Sequence, residues 1–195
     1  MVKFDERAIL DNGAYIYAMR QEIEAIADAV CEKGFDNILF TASGGSLAMM
    51  QPFDYMISVM SGLDVQSQVS AELLGVGNNR LTDRTLVFMA SKSGDTKETV
   101  EAAGYVKEKG AAIISVLGVE GSPLGGLSDY TVVYKDGRPQ EFVLYMLVGR
   151  ILHNKGYFDD YVQFADELKN LPAALVSVGK ASDEKARAYA MKYKD

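Results

Sequence analysis

Apolar residues recur at helical spacing from about Glu6 to Lys33, where Ile16, Met19, Ile23, Ile26, Ala27 and Val30 line one face. Gly13 predicts an interruption early in this helix, and Gly34 supplies its stop. Asn37-Ile38-Leu39-Phe40-Thr41 is then a continuous apolar run of strand length, which breaks at Ser43-Gly44-Gly45-Ser46. Leu47 to Met60 returns to the helical period, with Pro52 predicting a kink or restart. The unit repeats. Leu86 to Ala90 reads as a strand, Ser91-Lys92-Ser93-Gly94-Asp95-Thr96 as a loop, and the following residues to about Lys109 as a helix ended by Gly110. Ala112 to Leu117 is a third strand, Tyr130 to Tyr134 a fourth, and Val65 to Val69 a weaker one.

Continuous apolar strands alternating with amphipathic helices require a parallel sheet covered on both faces. The expected fold is α/β: a doubly wound, three-layer α-β-α sandwich with a five-stranded parallel sheet of flavodoxin-like type, followed by C-terminal helices. After Pro139 the pattern is helical only, over Phe142 to Leu152, Tyr161 to Leu171 and Val176 to Tyr193, with Pro172 as punctuation. The last helix is strongly charged (Lys180, Asp183, Glu184, Lys185, Arg187, Lys192), and the sequence stops abruptly at Lys194-Asp195. Residues 1–155 are therefore expected to form one domain with an N-terminal helix. Residues 156–195 are expected to be a helical extension, either a solvated cover or a connector to a further domain.

Charge narrows the function classes. The chain has 195 residues with 20 Lys and Arg against 27 Asp and Glu, a net charge of −7. An acidic chain without a basic run is unsuited to nucleic acid. Any phosphate it holds must be gripped locally, because the overall field repels anions. The single cysteine, Cys31, excludes an internal disulfide and reads as an inert thiol in an Ala-rich helix. One histidine and one cysteine cannot supply the usual zinc ligand set, and no metal or cofactor is expected. No apolar run approaches the roughly 20 residues that span a bilayer, and the acidic N-terminus is unlike a signal peptide. A cytoplasmic protein without membrane contact is expected.

Two loops carry the candidate chemistry. Thr41-Ala42-Ser43-Gly44-Gly45-Ser46 and Ser91-Lys92-Ser93-Gly94-Asp95-Thr96 each follow an apolar strand and open a helix. Each offers hydroxyls, glycines and a helix N-terminus, so that backbone N–H groups and the positive end of the helix dipole face one spot. In an open parallel sheet, ligands bind at the carboxyl ends of the strands, where strand order reverses. Turn and cap chemistry alone also favours Ser, Gly, Asp and Thr at such places, and Asp95 to Glu98 has capping-box spacing. Neither loop is a Walker A sequence or a complete dinucleotide fingerprint.

The pair of loops resembles the SIS (sugar isomerase) family, on Ala42-Ser43-Gly44-Gly45-Ser46 and Ser91-Lys92-Ser93-Gly94-Asp95-Thr96 with Thr99 three residues on. The resemblance implies that Ser43, Gly44, Gly45, Ser46, Ser91, Lys92, Ser93 and Thr96 hold the phosphate of a sugar phosphate. The family often has Gln in place of Lys92, and Gly45 replaces a hydroxyl residue. Ser70 to Leu74 sits where such proteins place a short helix after the second strand. Ser122-Pro123-Leu124 with Ser128-Asp129-Tyr130 resembles the segment before their fifth strand. The stretch from Tyr157 to Asp195 resembles the connector between the two SIS domains of fructosamine-6-phosphate deglycases, which are relatives of the isomerase half of glucosamine-6-phosphate synthase. This implies an N-terminal half that binds a hexose 6-phosphate or fructosamine 6-phosphate. It implies, too, that the catalytic Glu and His belong to a second domain, so that the chain alone is inactive.

Other readings stay open. A complete single-domain isomerase would need a general base here; Glu141, at the start of the helix after the last strand, is the tentative catalytic candidate, with His153 the other. An acid in a first helical turn is expected from the dipole alone, and His153 lies far from both loops in sequence. A non-enzymatic phosphosugar sensor is a third reading, although it would normally carry a basic helix-turn-helix segment. A homodimer or higher homo-oligomer is expected in all three, because the apolar helices after Pro139 have little to cover in an isolated domain. Met49, Met50, Met56 and Met60 read as core or interface packing.

Overall fold

The computed structural model describes residues 4–134 and 140–193. Pro139, taken above as the point where the pattern turns helical, and the terminal Lys194-Asp195 lie outside these residues. The elements alternate as predicted: α1 (Glu6–Ala18), α2 (Arg20–Lys33), β1 (Asn37–Ala42), α3 (Gly45–Met60), β2 (Asp64–Val69), α4 (Ser70–Val76), β3 (Thr85–Ser91), α5 (Lys97–Glu108), β4 (Ala112–Leu117), α6 (Pro123–Leu127) and β5 (Tyr130–Val133). Three helices follow, α7 (Glu141–Asn154), α8 (Tyr161–Glu167) and α9 (Leu171–Lys192), with a 3-10 turn over Leu168–Asn170.

The five strands are all parallel, in the order β2-β1-β3-β4-β5. Alternation along each strand divides the core. Ile38, Phe40, Leu86, Phe88, Ile114 and Val116 face the layer of α2, α3 and α7, and the rings of Phe40 and Phe88 stack at 4.9 Å between centroids. Leu39, Val87, Met89, Ile113 and Leu117 face the layer of α4, α5 and α6. Every residue of β3, the central strand, is buried, which is why its sequence is a continuous apolar run. Met50 is fully buried, and Met49, Met56 and Met60 pack against the first core, in accord with the packing role expected of them.

Three boundaries differ from the periodicity. The N-terminal helix breaks at Met19, not at Gly13. Gly13 is buried instead because α9 crosses it: a Cβ there would overlap the ring of Pro172. Pro172 does not separate helices but occupies the first turn of α9, where a missing N–H costs nothing. Pro52 lies about two turns into α3, which runs through it from Gly45 to Met60. Among the described residues no helix is long and apolar enough to cross a membrane.

Candidate functional site

The chain leaves β1 for the edge strand β2 by way of α3 on one face, then returns to β3 and continues to β4 by way of α5 on the other. The order therefore reverses between β1 and β3, and both candidate loops rise from the carboxyl ends of these two adjacent strands. The hydroxyls of Ser43 and Thr99 meet at 3.2 Å, which joins the first loop to the helix that follows the second.

The first loop is open. Gly44 adopts φ +55°, and a Cβ on Gly44 or Gly45 would meet nothing within 4 Å. Backbone here is free to approach a ligand. Ser43 and Ser46 are half-buried on either side of the two exposed glycines. Gly44 stands at the N-cap of α3 and has no side chain with which to accept a first-turn N–H.

The second loop is closed upon itself. Buried Ser91 accepts the Gly94 N–H at 2.9 Å, and its hydroxyl meets that of Thr96 at 3.0 Å. Thr96, not Asp95, caps α5, and no side chain caps that N-terminus, so the Asp95–Glu98 capping box does not form. Gly94, at φ +71°, serves packing rather than ligand approach: a Cβ would overlap Ser122. Ser93 is exposed, as is Lys92. Two backbone bonds brace the loop from the next connection, Gly118 N–H to Ser91 O at 3.3 Å and Leu124 N–H to Gly94 O at 2.9 Å.

The remaining candidates fall elsewhere. Glu141 is half-buried in the first turn of α7, on the carboxyl side of β5 and two strands from β3. His153, near the other end of α7, is held by Phe158 O at 2.8 Å from Nδ1, and its ring lies 5.6 Å from that of Tyr161. It belongs to a structural cluster. The hydroxyl of buried Tyr161 donates to Glu24 at 2.8 Å, Arg20 binds Glu24 at 2.6 Å, and burial raises the Tyr161 phenol well above its ordinary pKa. Burial also pushes the Cys31 thiol up, in keeping with an inert residue.

Sequence reasoning assigned no contact to four polar residues here. Thr99 stood in the motif without an assigned contact, yet it bridges the two loops. Thr41 and Ser70 form a fully buried hydroxyl pair at 3.2 Å beneath the first loop. Ser122 fills the space that Gly94 leaves. Thr41 and Thr99 had a visible signal in their places at the start of the first motif and the end of the second, whereas Ser70 and Ser122 stood only in the flanking segments.

Comparison with known proteins agrees with this fold. The family model for the SIS domain matches residues 34–154. The fructosamine deglycase FrlB of Bacillus subtilis is 30% identical over 161 residues, covering 77% of this chain and 49% of that protein. An isomerizing glutamine–fructose-6-phosphate aminotransferase of Thermotoga maritima is 29% identical over 175 residues, 84% of this chain and 28% of its own. A Bacillus subtilis structure assigned as a phosphosugar isomerase superposes with a TM-score of 0.83 at 27% identity, over 90% of this chain and 56% of its own. The chain thus spans about half the length, or less, of the curated relatives it matches.

Proposed function

The chain belongs to the SIS domain family, and from that premise we propose that it is the phosphosugar-binding half of a deglycase acting on a fructosamine 6-phosphate. The supporting observation is the junction at the strand reversal, where two uncapped helix N-termini and a set of neutral hydroxyls surround an open glycine pair. Phosphate oxygens there would accept from the backbone at the start of α3 and α5 and from Ser43, Ser46, Ser91, Ser93 and Thr96. Lys92 adds positive charge at the rim. Such a site suits an acidic chain, because it binds an anion without relying on the net field.

On this reading residues 1–155 are the SIS domain and residues 156–195 lead toward a second one, which supplies the acid–base groups for ring opening and proton transfer. Glu141 would then serve the rim of the pocket. The start of α9 packs against α1, and Arg20 holds Asp166 of α8, so the extension folds back on the domain before its exposed end, with Tyr189 and Met191, runs free.

The test is thermal stability with fructose 6-phosphate against unphosphorylated fructose. Ligand that binds only the native state, at about 100 times its dissociation constant, adds roughly 2.7 kcal/mol. Ser93→Ala with Thr96→Ala should abolish that stabilisation while leaving the unliganded midpoint nearly unchanged. Retained affinity in the double variant removes the second loop from the site.

A further inference from the structure

We propose that Ser122 is a positioning residue for the second loop, competing with Gly94 for one backbone donor, the Leu124 N–H. This rests on the phosphosugar reading above, and it concerns how that site is set rather than what it binds.

Ser122 stands at the N-cap of α6 with Pro123 at the first helical position, and its backbone is already extended, at φ −71° and ψ 159°. A serine so placed ordinarily accepts the N–H of the second or third helical residue, here Leu124 or Gly125. Its side chain makes no such bond. The Leu124 N–H goes instead to Gly94 O in the second loop, at 2.9 Å. Ser122 is 6% exposed, and its hydroxyl is left with no hydrogen-bond partner among the described residues. The two residues touch, since a Cβ on Gly94 would overlap that oxygen. Gly94 is buried as well, so a single donor faces two buried acceptors. Whichever acceptor loses it bears the cost of an unpaired polar group.

Two arrangements follow, and they present different faces to a ligand. In the one described, the Gly94 carbonyl is tied to α6. The C=O and N–H of a trans peptide point in opposite directions. The Asp95 N–H therefore turns from α6, which follows β4, toward the β1 side of β3. The first loop lies on that side, at the strand reversal where the phosphate is placed above. In the other arrangement Ser122 takes the Leu124 N–H as an ordinary cap, and the Gly94 carbonyl is released. Gly94, at φ +71° and without a Cβ, then lets its peptide turn and bring the carbonyl oxygen toward the anion. The tied arrangement binds phosphate and the capped one does not, so apparent affinity is reduced by the fraction of molecules that are capped.

Ser122→Ala tests this, because it keeps the Cβ against Gly94 and removes only the competing hydroxyl. The unliganded thermal midpoint should rise by roughly 2–4 °C, since a buried hydroxyl without a partner is gone. Calorimetric titration should show fructose 6-phosphate binding at least about twofold more tightly than to the parent chain. A hydroxyl that touches the ligand, or one that merely supports the fold, gives the opposite sign in one of these readouts. If the parent chain binds and the variant binds equally or more weakly, or if the midpoint falls, the role of Ser122 is overturned and the phosphosugar reading stands. If neither protein binds fructose 6-phosphate, both are overturned.

Discussion

Two glycines in analogous loops have different duties. Gly44 faces open space, whereas Gly94 abuts Ser122, and both take left-handed backbone. Gly94→Ala should therefore combine a backbone cost with an overlap, about 2–4 kcal/mol in all. Adding Ser122→Gly removes the overlapping atoms and should restore about half of the loss, leaving the backbone part; urea denaturation of both variants measures this. Equal losses in the two backgrounds would show that Ser122 is not the obstacle. The hydroxyls and glycines of these loops were legible because the motif places them side by side. Ser122, Ser70 and the Thr99 bridge were not, because each meets its neighbour only after distant segments have packed.

At the scale of elements, legibility followed burial. Strands β1, β3 and β4 announce themselves because both faces are covered. The edge strand β2 has no fully buried residue and carries Gln66, Ser67 and Gln68, so it reads weakly. Helices α4 and α6 are too short for a period; α4 was visible only through resemblance, and α6 was not read as a helix. The roles of Gly13 and Pro172 were misread for one reason: each looks like a local breaker, yet they form a single contact between α1 and α9. The tie between α2 and α7 yields a prediction. Arg150 binds Asp28 at 2.7 and 3.0 Å, Asn154 adds a third bond at 2.7 Å, and Arg150 holds the carboxyl below its ordinary value of 3.8. A lowered native pKa contributes stability above that value and loses it as pH falls toward the native one. Asp28→Asn should cost no more than about 1 kcal/mol at pH 7, since the pair is partly exposed. The deficit should shrink below pH 3.8 and disappear once Asp28 is protonated in both states. Urea midpoints at neutral and acid pH would show it, and a deficit unchanged by acid would exclude the ion pair as its source.

Across the whole molecule the charge of −7 opposes any anionic ligand. Salt screens exposed charges beyond about 10 Å at 0.1 M, and it affects neutral hydrogen-bond donors much less. Affinity for fructose 6-phosphate should therefore hold or rise between low salt and about 0.3 M, whereas a site dominated by Lys92 or other cations would weaken. Calorimetric titration at several salt concentrations separates the two, and a steep fall would contradict a site of neutral donors.

The Ser43–Thr99 bridge has a consequence for how the layers behave together. The sheet separates two apolar cores, each with its own helices, and such a sandwich can loosen one layer at a time. The bridge stitches the loop that opens α3, on one side, to α5 on the other, at the seam where the chain changes direction. A guest settling on that stitch would be gripped by both layers at once, so that peeling either one would first have to evict it.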